Sequence, residues 1–205
     1  MHIFLVGGAG RTGRYILEYA LEAGHDVTAL VRDRPLHVEH PSLEVIKGDV
    51  MNGDDWASYI FPGTAIISAI SAPKGQKSQL ITAAERLVAA GEKGGASRII
   101  LVGGAGSLKV GEQQLLRELP EFPEVFKEVS AAHLRASHTV EKSRLGWTVF
   151  CPPDIKDGER TKNYRTQETF VLGQTKWISF QDLADAIIQS INRDSYLMRR
   201  VAISY

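Results

Sequence analysis

The feature that most constrains this chain is a glycine-rich turn that follows a short apolar run at residues 2–6. The turn reads GGAGRTG at residues 7–13 and fits two registers, G-x-x-G-x-x-G from Gly7 and G-x-G-x-x-G from Gly8. Glycines at this spacing let the backbone approach a pyrophosphate, and the first N–H groups of the next helix point at it. The turn therefore predicts a dinucleotide-binding strand–turn–helix.

The residues after the turn complete a βαβ unit, which is the context that a dinucleotide site requires. Apolar residues recur at helical spacing from Ile16 to Leu21, and Gly24 supplies a stop for this helix. Residues 27–31 then predict a second buried strand.

The end of the second predicted strand bears on the choice of cofactor. NAD sites place an acidic residue here for the adenosine 2′-hydroxyl, whereas this chain has Arg32, Asp33 and Arg34. Arg32 stands where a guanidinium can bind the 2′-phosphate of NADP, and Arg11 adds a second positive charge near that phosphate. In the alternative, both arginines after the strand are solvated and Asp33 binds the ribose of NAD. Asp33 comes one residue late for that role, so the sequence favours NADP (NADPH).

Composition excludes several other classes of function. The 205 residues suit one domain, and 24 Lys and Arg balance 24 Asp and Glu, so neither nucleic acid nor a membrane surface is an expected partner. The single cysteine, Cys151, excludes an internal disulfide, is interpreted as a buried small hydrophobe, and indicates a cytoplasmic location. The histidines show no metal-ligand pattern.

The rest of the chain alternates strands and helices, which predicts an α/β fold with a doubly wound parallel sheet in a single domain, residues 1–205. Asn52 and Ser179 are candidate helix caps, the second with Asp182 in an arrangement like a capping box. Further strands are predicted at residues 43–46, 64–69, 98–102, 147–150 and 199–203, and helices at 52–59, 77–93, 124–144 and 180–192.

Two segments fall outside this alternation. Residues 155–178 predict a small C-terminal substrate-side segment with a hairpin around Gly173, too short to enclose a nucleotide sugar. The insert at residues 112–123 is open to three interpretations: a lid, an amphipathic turn or a partner surface.

The six residues LVGGAG at positions 5–10 recur unchanged at positions 101–106. The second copy lacks the third glycine and runs on without helical periodicity, so it predicts a strand-end loop that lines the ligand crevice.

Taken together, these segments resemble the atypical short-chain dehydrogenase/reductase superfamily, which has a Rossmann fold. The likeness is greatest to its small NAD(P)H-binding members, NmrA-like or similar to flavin reductase/biliverdin-IXβ reductase. It covers essentially the whole chain through GGAGRTG, ALVRD, KGDV, ISAIS and GWTVFCPPDI, which occur in the family's order.

The resemblance implies the residues that contact the cofactor. They are Gly7, Gly10, Arg11, Thr12 and Gly13 at the phosphates, Arg32 at the 2′-phosphate, Asp49 and Val50 at the adenine, and Ala69, Ile70, Gly103 and Pro152 at the nicotinamide half.

The catalytic residues of the superfamily carry over poorly. Its Tyr-x-x-x-Lys pair corresponds here to Val129 and His133, so reduction of a carbonyl with tyrosine as the acid is not expected. The flavin reductases carry a serine and a histidine at the positions of Gly104 and Asp154. Ser107 lies three residues further along and is the candidate replacement for that serine.

The candidate catalytic residues are therefore Ser107, His133 and Asp154. His133 belongs to a His-x-Arg segment that matches the flavin reductases, and two interpretations stay open: a cleft histidine bonded to ribose or substrate, or a satisfied core histidine. Hydride transfer itself requires proximity and orientation, with protons supplied by water.

Two functions fit these residues. The first is an NADPH-dependent oxidoreductase that transfers hydride to a small planar acceptor such as a flavin or quinone. The alternative is a non-catalytic NADP(H)-binding redox sensor of the NmrA-like type, which would have a protein partner.

Overall fold

In the computed structural model, residues 1–173, 177–191, 193 and 196–205 are described. This part of the chain contains ten strands and four α-helices. The strands are β1 (His2–Val6), β2 (Asp26–Val31), β3 (Leu43–Lys47), β4 (Ala65–Ser68), β5 (Arg98–Val102), β6 (Gly146–Cys151), β7 (Asp154–Lys156), β8 (Arg165–Glu168), β9 (Trp177–Ser179) and β10 (Arg199–Ser204). The helices are α1 (Arg11–Glu22), α2 (Gln79–Gly94), α3 (Glu124–Glu141) and α4 (Phe180–Ile191).

Eight strands form one sheet in the order β3-β2-β1-β4-β5-β6-β10-β8. All neighbours in this sheet are parallel except β10 and β8, which are antiparallel. This order confirms the predicted doubly wound Rossmann fold. The direction of winding reverses between β1 and β4, and ligands of such sheets bind in the crevice at that point, outside the carboxyl ends of the strands.

The core consists of two apolar layers, one on each face of the sheet. Side chains of β1 alternate between them: Phe4 packs with residues of α2 and α3, whereas Ile3 and Leu5 pack with residues of α1 and α4. Because both faces are covered, the central strands are apolar throughout, which is why they are recognisable in the sequence as continuous runs.

The predicted helix at residues 52–59 is wrong in its start and its type. The structure has a 3₁₀ helix from Asp55 to Tyr59 that begins after Asp54. Asn52 does not cap it, because its side-chain amide donates to the carboxylate of Asp49 at 3.3 Å. Asn52 therefore binds the turn that follows β3.

The predicted hairpin around Gly173 is also wrong for the residues that the structure describes. Strand β8 ends before the hairpin and pairs with β10, while Trp177 begins β9 and pairs in parallel with Asp154 of β7. The Trp177 ring packs edge-on against Tyr205, with centroids 4.6 Å apart. These partners are distant in sequence, so the local pattern does not reveal them. Residues 174–176 of the predicted hairpin lie outside the described residues.

The predicted cap of α4 is confirmed on one side. Ser179 Oγ accepts the backbone N–H of Asp182 at 2.9 Å. The return bond of a capping box is replaced by Tyr205, whose hydroxyl accepts the N–H of Ser179 and donates to the Asp182 carboxylate at 2.8 Å. The carboxylate also accepts from Thr161.

The first half of segment 155–178 is fastened to two helices by Arg160. Its guanidinium lies 2.8 Å from carboxylate oxygens of Asp185 on α4 and Glu22 on α1, and it stacks 3.6 Å above the ring centroid of Tyr19. The Tyr164 hydroxyl donates to the second oxygen of Asp185 at 2.9 Å. The charged residues at this point therefore join the segment to the fold.

Candidate functional site

A cleft of about 540 Å³ opens at the carboxyl ends of β1, β2 and β4, where the winding of the sheet reverses. Seven of the predicted cofactor residues line it: Gly7, Gly10, Arg32, Asp49, Val50, Ala69 and Ile70. The position is the one expected for the ligand of a doubly wound sheet.

The glycine turn forms the floor of the cleft because side chains do not fit there. Gly7 has a φ of +92°, and a Cβ on it would lie 2.8 Å from the backbone carbon and oxygen of Ala69. A Cβ on Gly13 would lie 2.0 Å from the Gly7 carbonyl oxygen. The Gly10 N–H donates to that oxygen at 2.9 Å and closes the turn. The turn leaves an uncovered backbone cradle at the N-terminus of α1, which fits a pyrophosphate.

Basic and acidic side chains stand together at the far end of the cleft. Arg32 Nη1 lies 4.0 Å from Asp49 Oδ2, and the Arg32 side chain is 57% exposed. Asp33 and Arg34 line the same end. The other Asp49 oxygen accepts the N–H of Met51 at 3.0 Å, which fixes this carboxylate. Arg32 is therefore the more exposed partner of the pair, and it lies at the end of β2.

Arg11 lies in the first turn of α1, and its guanidinium stacks 4.8 Å from the ring centroid of Phe180, at the start of α4. It does not line the cleft beside Arg32. Arg11 was predicted to add a second positive charge near the 2′-phosphate. The structure does not place its side chain there. The contacts predicted for Arg11, Thr12 and Gly13 rest on their backbone N–H groups at the start of α1.

The loops after β5 and β6 meet at the same edge of the sheet. The Gly103 N–H donates to the carbonyl of Phe150 at 2.7 Å, and the Ala105 N–H donates to the carbonyl of Pro152 at 2.9 Å. Gly103 and Pro152, both predicted for the nicotinamide half, are therefore brought together.

His133 borders a second, smaller pocket lined also by Ser68, Leu101 and Gly103. Within the described part of the chain, its ring has no hydrogen-bond partner. Burial, and secondarily the charge of Lys77, lowers the pKa of His133 to about 4. The ring is therefore neutral at neutral pH. Its position beside the strand ends agrees with the cleft interpretation.

The other two candidate catalytic residues lie elsewhere. Ser107 is buried, its hydroxyl donates to the Gly104 carbonyl at 2.8 Å, and it lies 3.3 Å from Cys151 Sγ. Asp154 is exposed on β7, with its carboxylate 3.4 Å from the Lys156 ammonium. The structure thus does not bring Ser107, His133 and Asp154 together, and of the three only His133 borders one of the two pockets.

Cys151 is fully buried, and burial raises its pKa to about 11. This confirms the interpretation of Cys151 as a small buried hydrophobe.

The loop between β4 and α2 contributes residues to the cleft that the sequence did not predict. Ala72 and Pro73 line the cleft, and the Lys77 ammonium donates to the carbonyl of Ala72. The sequence contained a signal for this contribution, because the loop follows a predicted buried strand. Loops after strands at the point where the winding reverses line the ligand crevice.

Sheet order, glycine cradle and cleft define a dinucleotide-binding Rossmann protein. A family model described as NAD(P)H-binding matches residues 7–194, and the chain belongs to this family.

Relatives align along nearly the whole chain. YwnB, an uncharacterized protein of Bacillus subtilis (strain 168), is 28% identical over 211 residues, covering 99% of this chain and 98% of YwnB. A protein of Burkholderia pseudomallei, proposed to be exported, has a solved structure that is 28% identical with a TM-score of 0.89, covering all of both chains. A proposed NADH-flavin reductase from Streptococcus pneumoniae TIGR4 is 28% identical with a TM-score of 0.81, covering 99% of this chain and 98% of that one.

Among the described residues, no helix is both long enough and apolar enough to span a membrane.

Proposed function

We propose that this protein is an NADPH-dependent oxidoreductase that transfers hydride to a small planar acceptor, a flavin or a quinone. The observation that carries the proposal is the cleft, which has a side-chain-free cradle at the N-terminus of α1 and Arg32 and Arg34 at its far end. The similarity to the proposed NADH-flavin reductase of Streptococcus pneumoniae supports this acceptor class.

Different parts of the cleft would bind different parts of the cofactor. The N–H groups of residues 11–13 would bind the pyrophosphate, and Asp49 and Val50 would contact the adenine. Arg32 would bind the 2′-phosphate, where a charge-assisted hydrogen bond is worth roughly 1.5–3 kcal/mol. Ala69, Ile70, Gly103 and Pro152 would hold the nicotinamide half at the ends of β4, β5 and β6.

NADPH supplies the hydride when it is bound, so the protein has to orient the reactants and exclude side reactions. His133 is neutral, because burial lowers its pKa to about 4. It can therefore donate a hydrogen bond to a ribose or acceptor oxygen but holds no proton to release as a cationic acid. Protons for the reduced acceptor come from water. Ser107 and Asp154 have no part in this scheme, since neither faces the cleft.

We propose that the acceptor is a small molecule and that the reaction takes place in the reducing cytoplasm. The one cysteine is buried, and NADPH is the reductant of that compartment.

The test is the loss of NADPH absorbance by purified protein with FMN, riboflavin or a simple quinone, with NADH in parallel. We expect acceptor-dependent oxidation that is faster with NADPH. Arg32→Ala should reduce the preference for NADPH by about tenfold or more. Arg144→Ala, a matched control, removes an exposed arginine just before β6, at the opposite edge of the sheet, and should leave the preference unchanged.

Two results would contradict the proposal separately. A preference that survives Arg32→Ala would overturn the assignment of the 2′-phosphate. Saturable NADPH binding with no turnover for any of these acceptors would overturn the reductase and favour the NmrA-like redox sensor. A sensor would bind NADPH and NADP⁺ with different affinities without consuming either.

A further inference from the structure

The end of the cleft at β2 and β3 is electrically balanced. Among the described residues, the charged side chains that line the cleft are two cations and two anions, Arg32, Asp33, Arg34 and Asp49. Arg11 adds no charge there, because its guanidinium stacks on Phe180. A phosphate monoester carries nearly two negative charges at neutral pH, so a site that selects strongly for a 2′-phosphate needs an excess of positive charge. This end of the cleft has none.

One of the two carboxylates is paired with the predicted ligand of the 2′-phosphate. Asp49 Oδ2 lies 4.0 Å from Arg32 Nη1. This separation is too long for a hydrogen bond, so the attraction between the two groups is electrostatic. A negative charge therefore stands directly beside the guanidinium that would bind NADPH.

The Asp49 carboxylate is held in its place by the turn that follows β3. One of its oxygens accepts the backbone N–H of Met51 at 3.0 Å, and the other accepts the side-chain amide of Asn52 at 3.3 Å. The Asn52 backbone N–H closes the turn by donating to the Asp49 carbonyl at 2.9 Å. Because both oxygens are fixed by neighbours in the chain, we expect the carboxylate to stay beside Arg32 when a cofactor binds.

We propose that Asp49 is a specificity-determining residue whose charge limits the preference for NADPH, so that the protein also takes NADH. The proposal rests on the assignment of Arg32 to the 2′-phosphate. Asp49 repels that phosphate and competes with it for the guanidinium, which weakens the binding of NADPH. NADH has a neutral hydroxyl at this position, so its binding leaves the Arg32–Asp49 pair undisturbed. Selectivity is thus lowered by a repulsive element against one of the two ligands.

The size of the effect follows from the charges. A charge-assisted hydrogen bond from Arg32 alone would favour NADPH by about ten- to a hundredfold. At the separation of an ion pair in water, one opposing unit charge changes a binding constant by about fivefold. With Asp49 in place, we therefore expect NADH to bind only about tenfold more weakly than NADPH.

The experiment measures the dissociation constants of NADPH and NADH by calorimetry, with no acceptor present. It uses wild type, Asp49→Asn, Arg32→Ala and a control. Asp49→Asn removes the charge and keeps the shape, so the ratio of the NADH constant to the NADPH constant should rise by about fivefold. The adenine contact predicted for Asp49 is common to both cofactors, so its loss cancels in this ratio.

Asp54→Asn is the matched control. Asp54 also pairs with an arginine, since its carboxylate lies 2.7 Å from Arg86 Nη2, but it does not line the cleft. Its replacement makes the same change of charge five residues away in sequence and should leave the ratio unchanged. Thermal unfolding of each variant checks that it is folded.

The outcomes separate this proposal from the assignment on which it rests. An unchanged ratio in Asp49→Asn, with a ratio that falls in Arg32→Ala, overturns the role of Asp49 and leaves Arg32 at the 2′-phosphate. An unchanged ratio in Arg32→Ala overturns both. The wild-type ratio is a test that needs no variant, because a value above about a hundredfold would overturn the use of NADH.

Discussion

Residues 5–10 and 101–106 have the same six letters, LVGGAG, and both begin with the last two residues of a central strand, yet they fold differently. In the first copy, Gly7 adopts a φ of +92° and the chain turns into α1. In the second, the Gly103 N–H continues the pairing with Phe150, and a single 3₁₀ turn follows at residues 105–107. The first copy makes an anion cradle, and the second makes a loop beside it.

The difference originates three residues beyond the shared letters. The first copy is followed by Gly13, which packs so closely on Gly7 that a Cβ would lie 2.0 Å from its carbonyl oxygen. The second has Lys109 at the equivalent position, and its backbone pairs with Thr169 and Val171 instead. Helix α1 approaches its strand because nothing separates them. The third glycine, not the first two, therefore commits such a turn to a helix.

A substitution at the third glycine should have the strongest effect. Gly13→Ala places a methyl group against the backbone of Gly7, so the turn has to open. We expect a loss of about 3 kcal/mol in the free energy of unfolding and the loss of measurable NADPH binding. Urea unfolding and fluorescence titration measure the two effects. Gly111→Ala is the control, because a Cβ added at Gly111 would have no neighbour within 4 Å. Unimpaired binding in Gly13→Ala would disprove the role of the third glycine.

A smaller effect compares equivalent positions of the two copies. Gly7→Ala forces a positive φ on alanine and meets the backbone of Ala69, and we expect it to cost about 2 kcal/mol. In Gly103→Ala the new methyl group meets a side-chain methyl of Val149 at 2.8 Å without a positive φ, and we expect about 1 kcal/mol. Urea unfolding of both variants measures the ratio. Equal losses would show that the two loops do not differ in backbone conformation in solution.

The weakest effect concerns the converse substitution. Lys109→Gly gives the second copy the missing glycine, yet residues 107–111 have no helical pattern to extend. We expect a loss of about 1 kcal/mol or less and an unchanged stoichiometry of one NADPH per chain by calorimetry. A second bound cofactor would mean that three glycines alone specify the site.

The fold was predictable because its central strands are buried on both faces. Runs such as residues 65–68 and 98–102 stand out as apolar, and the order of elements then indicates the topology. The two errors in the predicted elements have different causes, a turn too short to show a pattern and a strand pairing between distant residues. The turn at Asp55 is 3₁₀ and too short for a 3.6-residue pattern, and β9 pairs with β7 through a partner more than twenty residues away.

The part of the cleft formed by the backbone at the strand ends was predictable from the sequence. Gly7, Gly10 and Arg32 line the cleft because their spacing from the strand ends fixes their place. The sequence could not decide whether His133 borders a pocket or lies in the core, since its surroundings depend on how α3 packs on the sheet. The surroundings of Ser107 were not predictable either, because its hydroxyl donates to the Gly104 carbonyl and lies 3.3 Å from Cys151, which is distant in sequence.

The place of β10 between β6 and β8 has a consequence for synthesis of the chain. The sheet neighbours of β1 to β5 all lie within residues 2–151, so this part of the sheet can assemble once β6 has left the ribosome. Strand β8 has to wait, because its only partner in the sheet begins at Arg199. The dinucleotide half is therefore built first, and the edge at β8 is the last to form and the first expected to open in hydrogen exchange.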